Sequence, residues 1–565
     1  MPPIIAALVL AAPGLLLCVA LLARATPGMR PAGILLSSRI ATLAALGLAL
    51  TATGWVAWQG AATSPLLGYG GIGVSMRLDP ISCTMFLLVS FVGAIVVQYS
   101  RNYLDGDPRQ GAFIGGLCQT LAAVLLLVLA GNLFQLVAAW IATSLSLHGL
   151  LLFYRDRPAA VLAARKKFIT ARLGDACLLG ACGLLASSFG SSDIGTILER
   201  ARALDAVSVS GSMQAAALLL ACAALLKSAQ FPTHGWLPEV METPTPVSAL
   251  LHAGIINAGG FLVIRFADVM LLSAPSLHVL AVVGGFTALF GSVVMLTQPS
   301  IKGSLAWSTV SQMGFMMLQC GFGAFSIALL HIVAHSLYKA HAFLSSGSVV
   351  GLSRSAATTV TAGSSRALAG FVSMGLALSL YAAIAAMLGW ALDSAPGVHA
   401  ATSPAALALG AILIIGVGLF IAQSMPTMRD EGKTAPSPDE PGRDPMCAPT
   451  VGIAARVVAR LLTAAALATV AYFLLQRTAR WWTASSLPAI PEPTTVGLAL
   501  MWLAVLSFAI VAGLQLLAPA RFDNPNWRAA RVHVANGFYV NAWFDRLVGA
   551  LRRPVGQPSG KEQLA

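Results

Sequence analysis

Long apolar runs, separated by short polar, basic or proline-bearing stretches, set the pattern of the chain. They fall at roughly 3–23, 33–58, 80–99, 112–130, 131–153, 168–189, 213–231, 244–270, 276–297, 303–321, 323–351, 367–391, 404–424, 451–475 and 494–518, about fifteen in all. A bilayer core takes about 20 consecutive apolar residues per helix, so each run predicts a spanning helix. The runs are continuous rather than alternating, which argues against a spanning β-barrel. The expected fold class is therefore an all-α polytopic membrane protein with about 15 transmembrane helices. The first run has no basic leading segment and is too long for a signal core, so it reads as a retained helix.

Composition agrees with the pattern. Of 565 residues, 57% are hydrophobic and 10% charged, against about a quarter charged in soluble domains, which excludes a water-soluble enzyme. The net charge of +13 does not point to nucleic acid, because the basic residues sit between the apolar runs. There they set orientation. Most fall on alternate loops, Arg165, Lys166 and Lys167 among them, with Arg77, Arg200, Arg202, Arg477 and Arg480 on the opposite side. This bias predicts an outside N-terminus and a cytoplasmic C-terminal tail. Seven of the eight cysteines lie in or beside apolar runs, and no CxxC or Cys/His spacing suits a metal, so no disulfide, metal or cofactor is expected in this chain. Two stretches are soluble in character. Residues 425–449 form a charged Pro-rich cytoplasmic linker. Residues 519–565 are basic and carry Trp527, Phe538, Tyr539, Trp543 and Phe544. They suit either a tail lying on membrane lipid or a docking segment for a partner protein.

A charge at bilayer depth costs at least about 2.5–3.5 kcal/mol, so each one needs a reason. Lys227 ends an apolar run in LLKSAQFP, and Pro232 cannot donate to the carbonyl of Ser228. A break beside the lysine follows, continued by a Pro-rich peptide through Pro244 and Pro246. Irregular backbone at that depth is tolerated where it lines a buried or wet cavity. His252 stands in the next run, between Pro246 and Gly259-Gly260. His331, His335 and Lys339 recur at i, i+4 and i+8 and share one helix face. Histidine exchanges protons near neutral pH, so such a stripe fits a relay for protons or hydrated cations; a hydrogen-bonded interhelical network is the alternative. Asp175 is the candidate counter-ion for Lys227, with a local Arg172–Asp175 pair as its rival, and His148 is a weaker auxiliary candidate. Arg265 and Asp268, at i and i+3, suggest a local interfacial pair. Two basic stations hint at an internal repeat.

The segment KSAQFPTHGWLPEVMETPTPVSALLHAG (Lys227 to Gly254) resembles the antiporter-like membrane subunits of respiratory complex I and of multi-subunit Na+/H+ antiporters. NLFQLVAAW (from Asn132), ITARLGD (from Ile169), SLAWSTVSQMGFM (from Ser304) and HIVAHSLYKAHAFLSSG (from His331) support it. The resemblance implies a pumping lysine at Lys227 of a broken helix, a central histidine at His252, and a relay at His331, His335 and Lys339. It also implies two inverted five-helix repeats over roughly 112–270 and 276–424, after an N-terminal helical part (1–111) and before C-terminal helices (450–520) and a tail (521–565). The chain departs from complex I subunits in two places. Ile141 stands where they carry a glutamate after the Trp, and residues 367–391 contain no lysine. HAGIINAGGFLV (from His252) and NGFYVNAWFDRLVGALRR (from Asn536) are instead similar to the DabB-type membrane subunits of bacterial inorganic-carbon accumulation complexes. That resemblance implies an inner-membrane subunit conducting protons or Na+ and bound to a DabA-like zinc protein that hydrates CO2 to bicarbonate, the zinc belonging to the partner. A pump subunit of a respiratory NADH:quinone oxidoreductase or a related hydrogenase or Mrp complex is the alternative, and a passive membrane scaffold a third.

Overall fold

The computed structural model describes residues 2–69, 71–204, 209–347, 364–393, 403–424, 450–517 and 524–550. The proposed linker at 425–449 lies outside the described residues. Each apolar run falls largely on helix among the described residues. Among the described residues, eleven stretches are long and apolar enough to cross a membrane by length and composition, and Gly211–Lys227, Met374–Met387 and Pro404–Leu419 are shorter apolar helices. The protein is thus a polytopic helical membrane protein. Its only described strands are two short antiparallel pairs, Ala62–Thr63 with Arg77–Leu78 and Leu67–Tyr69 with Ile72–Val74, in the connection before the helix Pro80–Tyr103.

Helix boundaries follow local chemistry. Pro80–Tyr103 starts where the Asp79 carboxylate accepts from the Ser82 amide, with Pro80 in the first turn. The helix Ala274–Met295 packs along Ile301–Gly321 through glycines. A Cβ on Gly314 would sit 2.7 Å from the Gly284 carbonyl, and one on Gly284 would sit 2.7 Å from that of Gly314. Lipid tails supply no hydrophobic drive between helices, so close backbone approach of this kind carries the packing.

Two expectations are corrected. The run at 168–189 belongs to a 32-residue helix, Pro158–Phe189, so Lys166 and Lys167 are buried helix residues rather than loop charges. Their partners come from distant segments, which a local reading of RKK cannot see. Arg265 and Asp268 do not pair with each other. The helix Ala258–Arg265 ends at Phe266 (φ −101°, ψ 31°) before Ala267–Leu271 begins, which breaks the i, i+3 geometry. Arg265 instead reaches Asp79 (2.5 and 3.1 Å) and the Ser82 hydroxyl (2.6 Å), and Asp268 pairs with Arg202 at 2.8 Å.

Candidate ion-translocation site

The helix Gly211–Lys227 stops at the lysine. The next residues leave the helix: the Ser228 carbonyl accepts from Gln230 Nε2 (2.8 Å), and Ala229 takes a positive φ of 49°. The path then runs through short pieces, Thr233–Gly235, Trp236–Glu239 and Val240–Glu242. Pro244 and Pro246 do not break a helix; they open the helix Thr245–Ala253, Pro246 lying in its first turn. Pro232 alone fits the expected break.

Lys227 is buried. Its Nζ donates to the Trp140 carbonyl at a long 3.4 Å and stands 4.3 Å from the Trp140 ring centre, a cation–π arrangement. Ile141, next along, is apolar and packs against the core. Asp175 is paired with Arg172 at 2.7 Å, so among the described residues the local pair, not a direct Lys227–Asp175 bridge, is the one present. Lys167, which sequence reasoning missed, lies beside this station. Its Nζ donates to the Ser144 carbonyl (2.6 Å) and hydroxyl (3.0 Å). His148, one turn beyond Ser144, is half-buried with its ring 5.2 Å from Phe168. It sits at the edge of the station.

The second station gathers three helices. The histidine helix Phe325–Leu344 buries Ile332, His335, Ser336, Lys339 and Phe343, while Tyr338 and His341 are exposed. The i, i+4, i+8 stripe therefore faces inward, with His331 half-buried at its end. Lys339 Nζ donates to the Leu305 carbonyl (2.8 Å) and to the Ser308 hydroxyl, both on Ile301–Gly321. His252 joins this station: its ring stacks on Phe343 at 4.4 Å, and its Nδ1 lies 2.9 Å from Thr309 Oγ1. Thr309 already donates to the Leu305 carbonyl (3.1 Å), so its oxygen accepts from His252 Nδ1–H. That leaves Nε2 with a lone pair, buried and without a partner among the described groups. His331 Nδ1 bonds Gln319 Oε1 (2.9 Å), its ring lies 6.0 Å from that of His335, and His335 Nε2 is likewise buried and unpartnered.

A second helix break connects the stations. Thr245–Ala253 ends at Gly254, a single turn covers Ile255–Asn257, and Ala258–Arg265 follows. On one side the Ile256 carbonyl accepts from Ser228 Oγ (3.1 Å), next to Lys227. On the other, Asn257 Nδ2 donates to Ser336 Oγ (2.8 Å), between His335 and Lys339. One buried turn thus touches both stations, through the Ile256 carbonyl on one side and the Asn257 side chain on the other.

The C-terminal segment reaches the same region. Lys166 Nζ bonds both Glu239 carboxylate oxygens at 2.7 Å, Asn541 Oδ1 at 3.0 Å, and the Asp545 carboxylate. Asn541 also donates to Glu239. A Cβ on Gly235 would collide with Asn541, so the tail helix Val540–Ala550 lies directly on the broken peptide. Its outer face exposes Trp543 and Leu547. Sequence reasoning found the stripe, Lys227 and His252; it missed Lys166, Lys167, Glu239 and Asn257, whose partners are far along the chain.

Residues 130–360 match the family model described as NADH:quinone oxidoreductase/Mrp antiporter, TM, and residues 67–114 match NADH-Ubiquinone oxidoreductase (complex I), chain 5 N-terminus. The chain is 38% identical over 481 residues to a probable inorganic carbon transporter subunit, DabB2, of Halothiobacillus neapolitanus, covering 85% of this chain and 81% of that protein. It is 48% identical over 278 residues to a probable inorganic carbon transporter subunit, DabB, of Hydrogenovibrio crunogenus; that match spans 48% of this chain and about half (52%) of the relative. Among solved structures, the Mrp complex from Dietzia has the same fold, with a TM-score of 0.55, 23% identity, and coverage of 98% of this chain and 58% of that one. The chain belongs to the DabB-type inorganic carbon transporter subunits, within the antiporter-like membrane subunits of complex I and Mrp complexes.

Proposed function

We propose that this subunit conducts protons, or Na+, between the two membrane faces and couples that flow to inorganic carbon uptake. Lys227 forms one station; His252, His331, His335 and Lys339 form the other, with Asp175, Arg172 and His148 as auxiliaries. The observation that carries the proposal is the buried turn Ile255–Asn257, bonded to Ser228 beside Lys227 and to Ser336 between His335 and Lys339. Titratable groups strung along one buried line through such a turn have a proton-transfer role as their natural use. The coupled step is hydration of CO2 to bicarbonate in a DabA-like zinc partner, the metal belonging to that partner. The chain sits in the bacterial inner membrane with its N-terminus outside and its tail cytoplasmic. In that orientation the Lys166–Glu239–Asp545 cluster lies toward the cytoplasm. Ile141 beside Trp140, and the lack of lysine in 367–391, speak against a pump subunit of a redox complex.

The test uses a carbonic-anhydrase-deficient host expressing this subunit with its partner. Lys227→Ala and Lys339→Ala should abolish growth at ambient CO2 while the two proteins still co-purify. Undiminished growth of both variants defeats the proposal. NADH oxidation or iron–sulfur absorbance in the purified complex favours the redox alternative.

A further inference from the structure

One cavity beside the Lys227 station carries two donors, on Lys167 and Trp236, that the proposed cation pathway does not use. It is bordered by Ser144, Lys167, Lys227, Trp236, Leu251 and Ile256, among other residues, and has room for about one water-sized occupant. Every polar side chain on its wall is a donor. Lys167 donates to the Ser144 carbonyl and hydroxyl, so the Ser144 hydroxyl accepts there and keeps its own hydrogen to donate. Lys227 makes a single long bond to the Trp140 carbonyl. Trp236 Nε1–H is buried and has no acceptor among the described groups, a rare state for a buried donor. None of the residues lining the cavity is acidic. The carboxylate whose charge acts on Lys167, Asp175, is already paired with Arg172. Two lysines, an indole N–H and a serine hydroxyl therefore border a hole with no carboxylate on its wall.

We propose that this cavity binds a small monovalent anion of chloride size, held by Lys167, Lys227 and Trp236. A water molecule can accept about two hydrogen bonds and must place two hydrogens of its own. A halide accepts from every donor at once and offsets part of the local charge, which is otherwise costly to bury. Room for about one water-sized occupant suits a monatomic anion better than a four-heavy-atom oxyanion such as bicarbonate. Anion binding beside Lys227 would hold that lysine in its charged form between transfer events.

The full-length protein, purified and crystallised in bromide, would be measured at the bromine absorption edge. An anomalous peak within hydrogen-bonding reach of both Lys167 Nζ and Lys227 Nζ is expected. Trp236→Phe keeps both charges and should weaken bromide binding, read from the bromide dependence of the unfolding midpoint, by about tenfold, the worth of one hydrogen bond to a charged group. Lys167→Met should remove the peak. Water density without an anomalous signal, with bromide bound elsewhere on the same molecule, overturns the proposal, as does a Trp236→Phe protein that binds bromide as tightly as the wild type. Diffraction and melting read this site without any transport assay, so its failure leaves the cation pathway to be judged separately.

Discussion

At the scale of single residues, hydrogen-bond direction decides which atom can move a proton. Because Thr309 donates to Leu305, His252 presents Nε2 rather than Nδ1 as its basic atom. Thr309→Val deletes that acceptor and lets the imidazole change tautomer, whereas Thr309→Ser keeps it. Cation flux through the valine variant should fall by about a hundredfold, the low end of what a positioned proton-transfer group contributes; the serine variant should conduct close to wild type. Equal flux in both would remove the assigned tautomer from the mechanism. The stripe at His331, His335 and Lys339 was legible in the sequence because periodicity alone puts i, i+4 and i+8 on one face. Lys167 was not. Three consecutive basic residues look like a loop, and only the fold reveals that Ser144, on another helix, solvates the third of them. The charge partner of Lys227 was equally hidden, since a backbone carbonyl and an aromatic face leave no mark as counter-ions.

At the scale of elements, interrupted helices and a docked tail organise the site. The break after Lys227 was legible from Pro232. The break at Gly254–Asn257 was not, because HAGIINAGG reads equally well as a continuous apolar helix, and Pro244 and Pro246 turn out to start a helix. The aromatic tail was recognised as either a lipid-facing or a docking element. Within the protein its inner face, Asn541 and Asp545, grips Lys166 and Glu239, while Trp543 points outward. Removing residues 521–565 should release the partner on co-purification; retention of the partner would restrict the tail to an internal role. Asp545→Asn should loosen the segment without unfolding the bundle, seen as faster amide exchange over 525–550 and over 233–242. Unchanged exchange at 233–242 would show that the tail does not hold the broken peptide. Gly314→Leu must push the hairpin helices apart at the Gly284 contact, and should cost about 1–3 kcal/mol of stability as overpacking does. A thermal melt in detergent reads this directly.

At the scale of the whole molecule, the turn Ile255–Asn257 links the helix end carrying Lys227 and the His335–Lys339 face, and the helix that follows it ends at Arg265, paired with Asp79. Both side chains of that pair are about 1% exposed. Asp79→Asn would leave the guanidinium without its charge partner and should cost about 3–5 kcal/mol, enough to lower the melting midpoint by many degrees, whereas a surface pair such as Arg30–Asp105 should be nearly silent. The helical, membrane-spanning character of the elements was visible in the apolar runs, since the bilayer forces length and composition on every span. Which helices meet was not visible, because lipid-facing and buried apolar surfaces are made of the same residues. The central claim is that positive ions move through the two stations. Reconstitution of the purified subunit with its partner into liposomes, with an imposed cation gradient and a trapped pH-sensitive dye, tests it most directly. Wild-type protein should dissipate the gradient, and Lys227→Ala and Lys339→Ala should slow it by about a hundredfold or more, toward the leak of empty vesicles. Variants that conduct as fast as the wild type would contradict the account.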